Sequence, residues 1–146
     1  MKKAIFAGSF DPFTKGHKNI IDRALNSIAD EITVVIGSNK AKKCMFSLDE
    51  RMAAVESAYK GNSKVSVVHW NGLITDYANA NGIDFLIRGV RSIKDFEYER
   101  NMAEVNHMLT GIETVLLFSA PEYASVSSSV VRELISFNKN VEPFLP

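Results

Sequence analysis

The stretch KAIFAGSFDPFTKGHKNIIDRALNSI, Lys3 to Ile28, reads as a strand, a tight loop and a helix in succession. Lys3 to Ala7 is short and apolar, as a buried strand requires. In the loop GSFDPFTKGH, Gly8 to His17, Gly8 and Gly16 permit close backbone approach and Pro12 fixes a turn. Ile20, Ile21, Ala24, Leu25 and Ile28 then recur at helical spacing and form one apolar stripe. A helix starting near Gly16 turns its unpaired N–H groups and the positive end of its dipole toward the strand's carboxyl end. That is a ready phosphate site, and His17 is expected to point at it. The loop is neither the G-x-G-x-x-G dinucleotide turn nor the G-x-x-x-x-G-K-[ST] P-loop, so hydride transfer and P-loop hydrolysis lose support.

The same alternation continues outward from this unit. Further apolar, β-branched runs lie at Ile32–Ile36, Val65–Val68, Ile83–Ile87 and Thr114–Phe118, which makes five candidate strands. Phe96, Met102, Val105, Met108 and Leu109 supply much of a second helical stripe. Ser47 followed by Glu50 makes a capping box that predicts a helix start, and Gly82 is expected to stop another helix. Strands that alternate with helices and are apolar on both faces pack as a parallel sheet covered on both sides. The expected fold is a doubly wound, Rossmann-like α/β sheet of five parallel strands, with ligands in the crevice beyond the strands' carboxyl ends.

The 146 residues, 46% apolar, suit one domain over 1–146, with no internal repeat or linker-like tract. Lys plus Arg and Asp plus Glu balance at 17 each, so no overall field draws the chain to nucleic acid or an anionic membrane. The amino-terminal sequence lacks the apolar run of a secretory signal, and no stretch is long enough to span a bilayer. The single cysteine, Cys44, excludes an internal disulfide and suits a reducing compartment, so the expected address is the cytoplasm.

Two more strand ends carry phosphate-type features. After the fourth expected strand comes R-G-V-R, in which Arg88 and Arg91 flank Gly89 and Val90; guanidiniums this close repel unless an anion lies between them. After the fifth comes SAPEYASVSSSVVRE, where Ser127, Ser128 and Ser129 precede a helical pattern as caps and leave a second nest of N–H groups. A nucleotide lying across the crevice would touch the first, fourth and fifth strand ends together.

The segment GSFDPFTKGH and the late SSSVVR resemble the two signatures of the Rossmann-like nucleotidyltransferase superfamily, and LIRGVRSIKDFEYE is similar to the central run of the pantetheine-phosphate adenylyltransferases. Thr14, three residues before His17, stands where nicotinamide mononucleotide adenylyltransferases and cytidylyltransferases carry histidine. The resemblance covers essentially the whole chain. It implies ATP and 4′-phosphopantetheine as substrates, with direct attack on the α-phosphorus and no covalent enzyme intermediate. It also implies His17 and Lys42 as catalytic residues, and Ser9, Lys42, Ile74 and Arg88 at the acceptor. For ATP it implies Ser9, Phe10, His17, Gly89, Val90, Arg91, Glu99, Tyr123, Ala124, Ser125, Val126, Ser127, Ser128 and Ser129.

A Mg²⁺ ion that bridges phosphate oxygens is expected with the nucleotide, held by substrate and water, so no residue is assigned to it. The resemblance implies a homohexamer. Ser9 replaces the family's commoner threonine and keeps the hydroxyl; Cys44 stands where proline is common and reads as incidental; the carboxyl end VEPFLP departs from the family's usual further helix. His69 and His107 read as structural, and the methionines as core or subunit contacts. The alternatives are another nucleotidyltransferase, acting on nicotinamide mononucleotide or forming cytidylyl products, and a nucleotide-binding sensor that has no use for His17.

Overall fold

The computed structural model describes residues 1–37 and 43–146. Among these residues the order is β1 (Lys3–Gly8), α1 (Lys15–Leu25), β2 (Glu31–Gly37), α2 (Leu48–Ala58), β3 (Val65–Trp70), α3 (Ile74–Ala80), β4 (Phe85–Val90), α4 (Ile93–Thr110), β5 (Glu113–Phe118) and α5 (Ser128–Ser136). The strands form one five-stranded sheet in the order β3-β2-β1-β4-β5, and every pairing is parallel.

Strand alternation divides the core into two halves. Ala4 and Phe6 of β1, Ile32, Val34 and Ile36 of β2 and Ile87 of β4 face α1 and α2, where they meet Ile20, Ile21, Ala24, Val55 and Tyr59. Ile5, Val35 and Leu86 point the other way, toward Ala78 of α3. Arg88 shares its face of β4 with Leu86, and its bond to Glu99 places α4 on that side too. The chain therefore winds one way through α1 and α2 and the other way through α3 and α4. The strand order reverses between β1 and β4, and their carboxyl ends open a crevice there.

Local signals fix several boundaries. The Ser47–Glu50 capping box starts α2, with each side chain accepting the other residue's backbone N–H at 3.1 and 3.3 Å. Gly82 follows α3 at φ +63°, and the N–H of Ile83 returns to the carbonyl of Ala78 at 3.0 Å, the closing bond of a Schellman motif. This moves the fourth strand. Ile83 packs at the end of α3 and Asp84 holds the backbone of Lys3, so β4 begins at Phe85 instead of Ile83. Arg88, Gly89 and Val90, expected beyond the strand, lie inside it, and only Arg91 follows.

The residues expected at helical spacing all lie on α4, but this chain's sheet does not cover them. Phe96, Met102, Val105, Met108 and Leu109 are exposed; in this helix Glu99 is the buried residue.

Candidate active site

The loop after β1 is held from several directions. The Asp11 carboxylate accepts the N–H groups of Met45 and Phe46, both at 2.8 Å, and the Asp11 carbonyl accepts from Arg132 of α5 at 2.8 Å. Arg51 of α2, itself buried, donates to the carbonyls of Ser9 and Gly37. Phe10 sits at φ +48°, a left-handed conformation that a bulky residue adopts only where its surroundings impose it. A Cβ on Gly8 would come within 3.2 Å of the Phe10 ring, which would have to give by a few tenths of an ångström to admit it.

The amino terminus of α1 orients His17. Thr14 is the N-cap, and a capping box forms with His17 where Glu or Gln is usual: the Thr14 N–H donates to Nδ1 at 3.0 Å. Because Nδ1 accepts, the ring proton belongs on Nε2, which has no hydrogen-bond partner among the described residues. Burial first, and the charges of Arg88 and Arg91 second, lower the imidazole's pKa from 6.5 to about 4. His17 is therefore a neutral N–H donor at neutral pH.

A cavity of about 380 Å³ opens at the switch point. Its wall includes Ser9, Phe10, Thr14 and His17 from the first strand end, Arg88, Gly89, Arg91, Asp95 and Glu99 from the fourth, and Val126, Ser127, Ser128, Ser129 and Arg132 near the fifth. The three strand ends thus converge on one space. Val90 is buried in the sheet, and Tyr123, Ala124 and Ser125 stand back from the wall. Lys42 lies outside the described residues. The serines are engaged at the start of α5: Ser127 caps the N–H of Val130, Ser128 donates to the Pro12 carbonyl at 2.7 Å, and Ser129 accepts from Arg132.

The two arginines do not need an anion between them. Glu99 receives Nε and Nη2 of Arg88, each at 2.8 Å, while Asp95 receives Nε of Arg91 at 3.0 Å. Arg88 also donates to the Ala7 carbonyl. Burial alone would lower the Arg88 pKa, but the hydrogen bond and charge of Glu99 outweigh it and the net shift is upward. A guanidinium has five N–H donors. Three of those on Arg88 are committed, so two remain for a ligand.

Behind this pair lies a second, smaller cavity of about 190 Å³ on the α3–α4 side, lined by Ile74, Met102, Asn106 and apolar strand residues. Ala7, Arg88, Tyr98 and Glu99 border both spaces, so Ile74 and Arg88 meet there while Ser9 stays in the larger one. Sequence reasoning left Arg132, Asp95 and Thr14 without a place at the site. Thr14 carried a readable signal, an N-cap three residues ahead of a polar side chain; Asp95 stood four residues after Arg91 on a helical pattern.

The cytidylyltransferase-like family profile matches residues 5–134. Phosphopantetheine adenylyltransferase of Bacteroides thetaiotaomicron is 44% identical over 146 residues, covering all of this chain and 96% of the relative. The enzymes of that name from Porphyromonas gingivalis and Corynebacterium diphtheriae are 45% and 41% identical, again over the whole chain and over 96% and 92% of their own lengths. The chain belongs to the phosphopantetheine adenylyltransferases. In this member of the phosphopantetheine adenylyltransferases the neutral imidazole of His17, held at Nδ1 by Thr14, lines the cavity at the switch point. Among the described residues no helix is long and apolar enough to cross a membrane, and no group of three or more His, Cys, Asp or Glu is placed to hold a metal ion.

Proposed function

We propose that this chain transfers the adenylyl group of ATP to 4′-phosphopantetheine. An oxygen of the acceptor phosphate forms a bond to the α-phosphorus, the bond from that phosphorus to the β-phosphate bridge breaks, and dephospho-coenzyme A and pyrophosphate result. The observation that carries this reading is the oriented, neutral imidazole of His17 facing two arginines across a cavity that adjoins a second one through Arg88.

Such a transfer depends on alignment and charge stabilisation more than on covalent help. His17 donates from Nε2 to an α-phosphate oxygen in the transition state. Arg88, held rigid by Glu99, presents its remaining N–H groups to the acceptor phosphate, whose organic arm runs into the cavity beside Ile74. Arg91 and the start of α5 receive the β- and γ-phosphates as pyrophosphate leaves, and Lys42 orients the attacking phosphate. A Mg²⁺ ion held by substrate and water would supply neutralisation of phosphate charge, and no residue is assigned to it, since Asp95 and Glu99 each already pair with an arginine.

The chain acts as one nucleotidyltransferase domain over 1–146 and works in the cytoplasm, a reading supported by its lone cysteine. It assembles with copies of itself as a homohexamer, a reading supported by the apolar side chains that α4 leaves open to water.

Purified protein is incubated with ATP, Mg²⁺ and one acceptor at a time, and pyrophosphate release is measured. Release is expected with 4′-phosphopantetheine and not with nicotinamide mononucleotide; no release with 4′-phosphopantetheine overturns the assignment. Replacing His17 by Ala is expected to lower kcat about 10²–10³-fold, the usual cost of one well-placed oxyanion donor. A binding-only sensor would show no turnover to lose.

A further inference from the structure

His17 is packed among three phenyl rings, of which Phe6 and Phe10 also line the cavity and Phe13 lies behind it. Phe13 lies nearly parallel to the imidazole, at an interplanar angle of 12° with ring centroids 5.7 Å apart. Phe10 meets it edge to face at 5.0 Å, and Phe6 lies tilted to it at 6.2 Å. Phe13 is itself backed by Tyr59 at the end of α2, at 6.5 Å. The Tyr59 hydroxyl donates to the Asp22 carboxylate at 2.8 Å, and Lys18 lies over the Tyr59 ring. A continuous run of ring contacts thus leads from the end of α2 to the imidazole, and its last pair, Phe13 and His17, is stacked.

The Thr14 N–H and hydroxyl both meet His17 at Nδ1, at 3.0 and 3.2 Å, and contacts to one atom alone leave the ring free to swing about it. A flat neighbour removes that freedom, since an offset stack holds the plane of its partner. We infer that Phe13 is a positioning residue for adenylyl transfer: its ring sets the plane of the His17 imidazole, so that Nε2–H is aimed at the phosphate before the nucleotide arrives. This rests on the function proposed above. Phe13 is 1% exposed and is absent from the cavity wall, so it acts only through His17. Burial by these rings also works with the positive charges of Arg88 and Arg91 to keep the imidazole neutral. The other ionisable groups on the cavity wall are Asp95, Tyr98 and Glu99 of α4 and Arg132 of α5.

The test compares Phe13→Leu, which keeps apolar bulk and removes the flat face, with the parent. The His17 ring is titrated by NMR without substrate, and kcat and both KM values are measured with ATP and 4′-phosphopantetheine. A looser, wetter imidazole is expected to titrate about one unit higher than in the parent. The kcat is expected to fall about tenfold while both KM values stay within about twofold, because alignment and not binding is lost. If Phe13→Leu does not fold, Phe13→Met carries the same comparison, since its adaptable side chain fills the gap without offering a plane. An unchanged His17 titration, or a parental kcat in an active enzyme, overturns the inference and leaves Phe13 as core packing. A parent that releases no pyrophosphate defeats the functional reading instead, and the titration still decides whether Phe13 governs His17.

Discussion

α1 and α4 each follow a strand at the switch point, and each contributes to the same cavity, yet they dispose of their apolar side chains in opposite ways. α1 buries Ile20, Ile21 and Ala24 against the sheet and keeps its polar residues half-buried on the other side. α4 instead turns Glu99 inward to Arg88 and leaves Met102, Val105, Met108 and Leu109 in water. Helical spacing of apolar residues marks a face that wants cover; whether the cover comes from the chain's own sheet or from elsewhere is decided in three dimensions. The two helices also differ in the ionisable group they bring: α1 a histidine held neutral, α4 a carboxylate paired with an arginine.

The comparison breaks most visibly in the core. Ile21 is fully buried, so Ile21→Ala is expected to cost about 2–5 kcal/mol of stability, read from urea denaturation midpoints. A loss below about 1 kcal/mol would mean that α1 does not carry the core on its side of the sheet.

The inward face of α4 comes next. Glu99→Gln keeps the shape but removes the charge that accepts two Arg88 donors, at an expected cost of about 1.5–3 kcal/mol. An Arg88 no longer fixed in place should also raise the acceptor KM more than the ATP KM. Equal changes in both constants would separate Arg88 from the acceptor.

Much of α1 and its loop was legible in the sequence because its signals are local. A strand, two glycines, a proline and a stripe all lie within one short stretch. The start of β4 was not, because Ile83 looks like a strand residue and is used to close the end of α3. Nor was the engagement of Arg88, whose partner lies 11 residues onward and meets it only once α4 has folded back over the sheet. The role of Arg132 was hidden for the same reason, since its target is the carbonyl of Asp11, 121 residues away. Motif letters located the cavity; they could not say which of its charges the protein itself had already satisfied.

A smaller effect should appear with acid, and its sign is fixed by the neutral histidine of α1. Unfolded, His17 takes up a proton near pH 6.5; folded, only near about 4. Between those values the unfolded state binds the extra proton, so His17's contribution is intact above 6.5 and is lost as pH falls toward about 4. The loss is expected to be roughly 1–3 kcal/mol. It is read as the drop in unfolding free energy from about pH 7 to about pH 4 in the parent minus that in His17→Asn. Equal drops would show that the cavity does not disfavour the imidazolium.

The smallest change in protomer stability is expected on the open face of α4, and it sharpens the contrast with Ile21. Met108 is 83% exposed, so Met108→Lys should change the stability of a dilute protomer by no more than about 0.5 kcal/mol. If that face is covered by another copy, the same substitution buries an ammonium in an apolar contact, which is costly unless the charge is paired. Light scattering should then give a parent larger than one chain and a variant whose mass falls toward a single chain on dilution. A parent that already runs as a single chain would mean that α4 carries its apolar side chains for some purpose other than assembly, and that the likeness between the two helix stripes ends with their spacing.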